Sequence, residues 1–317
     1  QALLDYGAST ASVRFICGTQ DIHQLLEADI AKFHGTEAAL TYSSCWAANT
    51  GLFAAICGVG DVILSDELNH ASLIDGIRAT AKHVVRDVYK HSDMADLEAM
   101  LKAHADAPSR LIVTDGVFSM EGDIAPLDQI VSLAEKYDAL IVLDDSHGLG
   151  VMDKIDIFTG TLGKALGAGT GGFVAGPKAV TETLIQRSRP HLFSNALHAS
   201  VAAAGRKSLE LLAQNPDRVT ALQAKAAKFR ALLNNLDLKP LPGDSAVVPV
   251  IVGETATAIR LAGELLNRGI FVTGFGFPVV PEGEARLRFQ ISAAHTEAEL
   301  EEAAIALKDC LQSPGSP

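Results

Sequence analysis

The chain has 317 residues, 48% of them hydrophobic, which suits one large domain or two unequal ones around a sizeable core. A formal net charge of −12 argues against nucleic acid as the main partner, and no apolar run is long enough to span a bilayer. The four cysteines (Cys17, Cys45, Cys57, Cys310) show neither metal-type spacing nor a disulfide framework, so a reducing, cytoplasmic compartment is expected.

Residues 1–19 read as irregular and end in Ser12-Val-Arg-Phe-Ile-Cys-Gly-Thr19; a start with neither helix nor strand suggests a true beginning further upstream. Apolar residues at helical spacing (Ile22, Leu25, Leu26, Ile30, Phe33) predict a helix over 21–34. The stretch Thr41-Tyr-Ser-Ser-Cys-Trp46 breaks before an apolar helix at 47–57. It presents backbone N–H groups at a helix N-terminus, which suits a phosphate, or it is a plain N-cap. A short strand is expected at 61–65, then Asp66-Glu-Leu-Asn-His70 and a helix to about 82. Buried strands follow at 110–115 and 139–147, separated by a loop at 116–122 and a helix at 126–137. The second ends in Asp144, Asp145, Ser146 and His147. Two long helical stretches, 194–212 and 217–233, precede a turn at Pro240, Pro242 and Gly243. Beyond it, strands are expected at 247–252, 269–273 and 285–292, with helices at 255–267 and 297–310. Alternating strands and helices imply parallel βαβ units. The expected fold class is α/β, with a large, mostly parallel sheet domain over 1–214 and a smaller C-terminal α+β domain over 215–317.

The chain from Asp156 to Gly172 is arranged around one lysine. It opens as a buried strand, breaks into small and hydroxylated residues about Lys164, and ends in glycines before a strand at 172–176. Small neighbours let a bulky group approach the backbone, and a partly desolvated amine becomes a usable nucleophile and base. Lys164 is therefore expected to form a Schiff base with a carbonyl cofactor; the alternative is a lysine in a glycine-rich surface loop. Two nucleotide motifs fail on context. A Walker A loop needs Ser or Thr after the lysine and Gly five positions before Gly163, where this chain has Ala165 and Phe158. Gly167-Ala-Gly-Thr-Gly-Gly172 spells a dinucleotide fingerprint but leads into a strand instead of a helix. In parallel sheets, ligands bind outside the carboxyl ends of the strands. His70, Ser119, Asp144, His147 and Lys164 all fall just past such ends, and that coincidence favours the functional readings.

A zinc hydrolase could use Asp144, Asp145, His147 and His70, but it leaves Lys164 unexplained and lacks a tight His-x-x-x-His pair. Pyridoxal phosphate (PLP) accounts for all the parts, and no metal is expected. PLP needs a lysine, a carboxylate that keeps its pyridine nitrogen protonated, a flat group over the ring, and donors for its phenolic and phosphate oxygens.

Thr159-Gly-Thr-Leu-Gly-Lys-Ala-Leu-Gly167 and Val142-Leu-Asp-Asp-Ser-His147 resemble the lysine and aspartate–histidine motifs of the α-oxoamine synthases, a family of fold-type I PLP enzymes. The resemblance extends over nearly the whole chain. Ser12-Val-Arg-Phe-Ile-Cys-Gly-Thr-Gln-Asp21, Ser65-Asp-Glu-Leu-Asn-His-Ala-Ser72, Arg189-Pro-His-Leu-Phe-Ser-Asn195 and Phe277-Pro-Val-Val-Pro281 are most similar to the branch that condenses glycine with acetyl-CoA. The resemblance implies that Lys164 carries the cofactor and moves the α-proton of glycine, while Asp144 pairs with the pyridinium nitrogen. It implies that His70 stacks on the ring and that His147 and Ser119 lie at the phenolic oxygen. Backbone N–H groups around Ser44, Cys45 and Trp46, with Thr161, are then expected at the phosphate, and Arg288 at the substrate carboxylate. Ser194 is expected to reach the phosphate of a neighbouring subunit, which makes a homodimer part of the site. Asp145 is expected to be structural. The alternative within the family is a sister synthase that joins alanine to a longer acyl donor and yields 8-amino-7-oxononanoate. This sequence departs from the family pattern in four places. It does not contain the family's N-terminal segment, and the family has a longer loop between Gly150 and Asp153. Trp46 stands where relatives have Phe or Tyr, and Gly-Ala-Gly-Thr-Gly-Gly replaces Gly-Gly-Ala-Ser-Gly-Gly.

Overall fold

A computed structural model describes residues 1–148 and 154–312. The short connection expected at 150–153 lies outside the described residues. The chain divides into two compact units. The first comprises Gln1–Val117 and Ala125–Gln214; the second comprises Phe118–Ile124 and the chain from Asn215 onward.

The first unit is built on seven strands: β1 Ala38–Tyr42, β2 Val62–Asp66, β3 Val85–Tyr89, β4 Arg110–Asp115, β5 Leu140–Asp144, β6 Ile157–Thr161 and β7 Gly172–Gly176. Their order across the sheet is β1-β7-β6-β5-β4-β2-β3. β2, β4 and β5 are near-continuous apolar runs because helices cover both faces of a parallel sheet. All neighbouring pairs are parallel except those of β7, which runs antiparallel to β6 and β1. The reason lies in the lysine loop. Residues 162–171 turn the chain straight back after β6 without a crossover helix, so the next strand must be antiparallel. Gly167, Gly169 and Gly171 make that return at φ 62°, 94° and 96°, a backbone region that other residues rarely enter. The helix Asp21–His34 turns Leu26, Ile30 and Ala31 inward at helical spacing. His70 and Lys164 lie a few residues past the carboxyl ends of β2 and β6, and Asp144 is the last residue of β5.

The second unit has three antiparallel strands, β8 Val247–Gly253, β9 Thr273–Phe275 and β10 Ala285–Gln290, in the order β8-β10-β9. Helices Asp217–Asn235, Thr255–Asn267 and Glu297–Gln312 bury Phe229, Leu233, Leu261, Leu265 and Leu307 against Val248, Leu287 and Phe289. An uninterrupted first domain over 1–214 needs correction at one segment. Phe118–Ile124 packs with the second unit because its backbone is held there. Ser245 Oγ donates to the Gly122 carbonyl at 2.6 Å, and Arg286 Nη1 to the Met120 carbonyl at 3.1 Å. A Cβ on Gly122 would lie 2.3 Å from the Val247 carbonyl oxygen, so only glycine permits that approach.

Several expected elements differ. Residues 1–19 contain a helix, Ala2–Tyr6, and a π-helical turn, Arg14–Gly18. The apolar helix begins earlier, as Cys45–Ile56, because Ser44 caps it by accepting from the Ala47 N–H at 3.1 Å. The helix expected over 194–212 starts only at Ala199 and runs to Gln214, and a separate short helix, Arg189–Phe193, precedes the break. The strand at 269–273 pairs only from Thr273. β1, β3 and the helices Met94–Ala103 and Lys178–Arg187 are additional. Among the described residues, no helix is long and apolar enough to cross a membrane.

Candidate active site

The most constrained group at the carboxyl edge of the sheet is Asp144. It is buried, and both of its oxygens act as acceptors, as a carboxylate's do. Oδ1 accepts from the Ser146 N–H at 3.0 Å. Oδ2 accepts from Asn49 Nδ2 at 2.7 Å and from the Cys45 thiol at 3.7 Å. Burial, and then the negative charge of Asp144, push the Cys45 thiol well up, so it stays protonated and donating. None of these donors is charged. They fix the carboxylate without cancelling its charge.

Lys164 Nζ donates to His147 Nε2 at 2.8 Å. The lysine itself is exposed, which corrects the expectation of a partly desolvated amine. Gly163, Ala165 and Gly167 have no side-chain bulk with which to cover it. Its positive charge acts to lower the pKa of His70, Cys45 and Asp115, which puts those groups within electrostatic reach of the amine. His70 N–H donates to Asp115 Oδ2 at 2.9 Å. Asp115 ends β4 directly beside Asp144 in the parallel register, and burial first, then the Asp144 charge, push its carboxyl well up.

The loop that carries Lys164 is stitched to the start of the helix Cys45–Ile56. Ser44 bridges to Gly171, and Thr170 Oγ1 donates to the Ser43 carbonyl at 3.3 Å. A Cβ on Gly172 would lie 2.3 Å from the Cys45 nitrogen. Thr161 Oγ1 donates to the Gly171 carbonyl at 3.1 Å and accepts from the Gly163 N–H at 3.1 Å. Ser44, Cys45, Trp46, Thr161 and Lys164 therefore form one neighbourhood, at a helix end whose first-turn N–H groups have no intrahelical acceptor. The half-exposed Trp46 ring stands edge-on to His70, centroids 6.3 Å apart.

Three further expected residues, Ser194, Ser119 and Arg288, have their own local settings. Ser194 does not open the long helix; it sits in extended backbone between Phe193 and Asn195, which bridges to Val13. Ser119 and Arg288 both belong to the second unit, where Arg288 Nη1 donates to the Ser119 carbonyl at 2.9 Å. The Arg288 guanidinium lies over the Phe275 ring at 5.2 Å, and its Nε is buried without a partner. Asp145, which follows Asp144 in the chain, is buried. Sequence reasoning missed Asn49 and Asp115. An amide in a largely apolar helix and an aspartate ending a second apolar strand were the available signals. Among the described residues, no group of three His, Cys, Asp or Glu side chains could hold a metal ion.

Residues 1–307 match the family profile described as aminotransferase class I and II. The chain is 47% identical over 315 residues to the mitochondrial 2-amino-3-ketobutyrate coenzyme A ligase of Bos taurus, covering 95% of this chain and 75% of that protein. It is 42% identical over 313 residues to the 8-amino-7-oxononanoate synthase of Symbiobacterium thermophilum, covering 94% and 79%. Among solved structures it is similar to SPT with PLP as its internal aldimine. The TM-score is 0.91 at 28% identity, over 98% of this chain and 81% of that one.

Proposed function

The chain belongs to the class I and II aminotransferase family, and from that membership we propose that it is a PLP-dependent acyltransferase. It condenses glycine with acetyl-CoA to 2-amino-3-oxobutyrate and CoA, reversibly, and in metabolism serves threonine degradation toward glycine. The carrying observation is the Lys164–His147 pair, 2.8 Å apart, at the same carboxyl edge of the sheet as the anchored Asp144. The choice of glycine and acetyl-CoA rests on the stronger likeness to the bovine ligase than to the oxononanoate synthase.

The residues present fit PLP. The Gly172 backbone closes against the Cys45 nitrogen and shapes a helix end that suits a phosphate, with Thr161 beside it. Asp144 supplies a buried charge for a pyridinium, and His70 a flat ring. When bound, the cofactor supplies the sink for the electron pair released as the α-C–H bond of the amino acid breaks. Lys164 Nζ holds the cofactor and carries that proton; His147 orients the amine by accepting its hydrogen bond. Ser119 keeps its assignment to the phenolic oxygen and Arg288 to the substrate carboxylate, where a guanidinium fork matches two oxygens. Purified protein should release CoA from acetyl-CoA and glycine, with a higher kcat/KM than for alanine with a longer acyl-CoA. The reverse preference would transfer the chain to the sister reaction.

The same reading makes the enzyme a homodimer with shared active sites. Phe193, two-thirds exposed, adjoins Ser194, and Phe15 and Ile16 are similarly exposed on the turn Arg14–Gly18. Ser194 then reaches the phosphate bound by the partner subunit. Binding that occurs only in the dimer stabilises the dimer by mass action. Stripping PLP should therefore raise the dimer dissociation constant, and Ser194→Ala should weaken PLP binding by about tenfold, the scale of one hydrogen bond. A fully active monomer, in sedimentation at assay concentration, would refute it.

A further inference from the structure

A line of hydrogen bonds runs from Asp144 to the His70 ring through two side chains to which the proposed chemistry gives no role. Asn49 is fully buried on the helix Cys45–Ile56. Its Nδ2 donates to Asp144 Oδ2 at 2.7 Å and to Ser72 Oγ at 2.9 Å. Ser72 is buried in the first turn of the helix Ala71–Arg78, and its Oγ lies 2.8 Å from His70 Nδ1. The Ser72 backbone N–H points at the same nitrogen, at 3.2 Å.

The direction of each bond follows from what each group can give. A backbone N–H only donates, so Nδ1 accepts. Asn49 Nδ2 has two hydrogens, one for Asp144 and one for Ser72. The Ser72 hydroxyl hydrogen is then left for His70 Nδ1. A nitrogen that accepts twice carries no proton, so the ring is neutral and its proton is on Nε2. The alternative amide orientation would turn Asn49 Oδ1 toward the Asp144 carboxylate and set acceptor against acceptor. Packing holds the line in place. A Cβ on Gly76 would lie 2.3 Å from the Asn49 carbonyl oxygen, so the helix Ala71–Arg78 presses its backbone against Asn49 and brings Ser72 within reach.

We propose that Asn49 and Ser72 are positioning residues that tie His70 to Asp144 and hold its ring as the neutral Nε2–H form. The face of the ring and its one donor are thereby set before substrate arrives. Desolvation of the inner edge of the ring acts in the same direction, and the Lys164 charge assists it, while the Asp144 charge opposes. The fourth neighbour, Asp115, takes the His70 backbone N–H and leaves the ring alone. The inference deepens the proposed role of His70 and Asp144, but its hydrogen bonds belong to the chain itself.

The test is 15N NMR of the ring nitrogens in histidine-labelled holoenzyme near neutral pH, with His70 identified by the signal lost in His70→Asn. The expected wild-type pattern is an unprotonated Nδ1 and a protonated Nε2. In Ser72→Ala, where only the backbone N–H is left on Nδ1, the two signals should move part of the way toward each other; Ser72→Thr, which keeps the hydroxyl, should show the wild-type pattern. A protonated Nδ1 in the wild type overturns the proposal, as do unchanged signals in folded Ser72→Ala. The visible absorption of the same samples reports bound cofactor. Its absence would fault the PLP reading, while the ring signals would still decide the tautomer.

Discussion

Lys164→Ala should lose the covalent link to the cofactor and about 10⁴-fold in turnover, the upper end of what one positioned proton-transfer group contributes. The amine meets His147 Nε2 at 2.8 Å, and its charge is felt by His70, Cys45 and Asp115, so its loss empties the centre of the cluster. His147 cannot take its place, because an imidazole holds the cofactor by no covalent bond and its Nε2 sits a full hydrogen bond short of the Nζ position. Folding should be almost untouched. Lys164 is exposed, and substitutions at such positions stay within about 0.5 kcal/mol. The measurement is borohydride reduction of the loaded protein followed by peptide mapping, with thermal unfolding as the control. In the wild type the mark should fall on Lys164, and in the variant it should vanish. A mark on any other residue of the wild type sinks the central assignment.

Much of this site could be read from residue order because strand ends are local events. Val62-Ile-Leu64, Leu111-Ile-Val113 and Ile141-Val-Leu143 announce buried strands, and the polar residues that follow each run must then lie at one edge of a parallel sheet. The helix Thr255–Asn267 was equally legible, since Ala258, Leu261 and Leu265 repeat at helical spacing. β3 was not. It closes the sheet as an edge strand and keeps Arg86 and Asp87 toward solvent, so it lacks an apolar run. The helix Met94–Ala103 has a start signal in Asp93, a capping residue type that accepts from the Ala95 and Asp96 N–H groups.

What stayed hidden depends on partners distant in sequence. Asn49 looks like an amide in a largely apolar helix until Asp144, 95 positions later, is seen to accept its hydrogen bond at 2.7 Å. Lys164 was expected to be partly desolvated from the smallness of its neighbours, yet small neighbours are what leave it open. Burial is set by what lies across from a residue, and composition along the chain does not contain that. Ser119 follows a strand of the first unit and packs with the second for the same reason: Arg288, 169 positions away, holds its carbonyl.

Asp144→Asn tests the other pole of the site, and the expected result is retention of some PLP with a loss of about 10²–10³-fold in turnover. That is the scale of removing one preorganised electrostatic contact from a water-poor site. Asp144 is held by donors on both sides: the Ser146 N–H on Oδ1, and Asn49 Nδ2 and the Cys45 thiol on Oδ2. An amide has one oxygen and one NH2 group. Whichever way the substituted side chain turns, its NH2 meets a donor, and one buried hydrogen bond is replaced by a repulsion. The variant should therefore also lose about 1–3 kcal/mol of stability, the cost of stranding a buried donor. The two effects separate by condition. Unfolding of the cofactor-free protein reports the lost hydrogen bond, and turnover measured well below the unfolding midpoint reports the lost charge. The neutral amide cannot hold a pyridine nitrogen protonated, so the turnover loss should persist at every temperature at which the variant is folded. Wild-type turnover in folded Asp144→Asn would take the role away from Asp144 and pass it to Asp145, the buried aspartate that follows it.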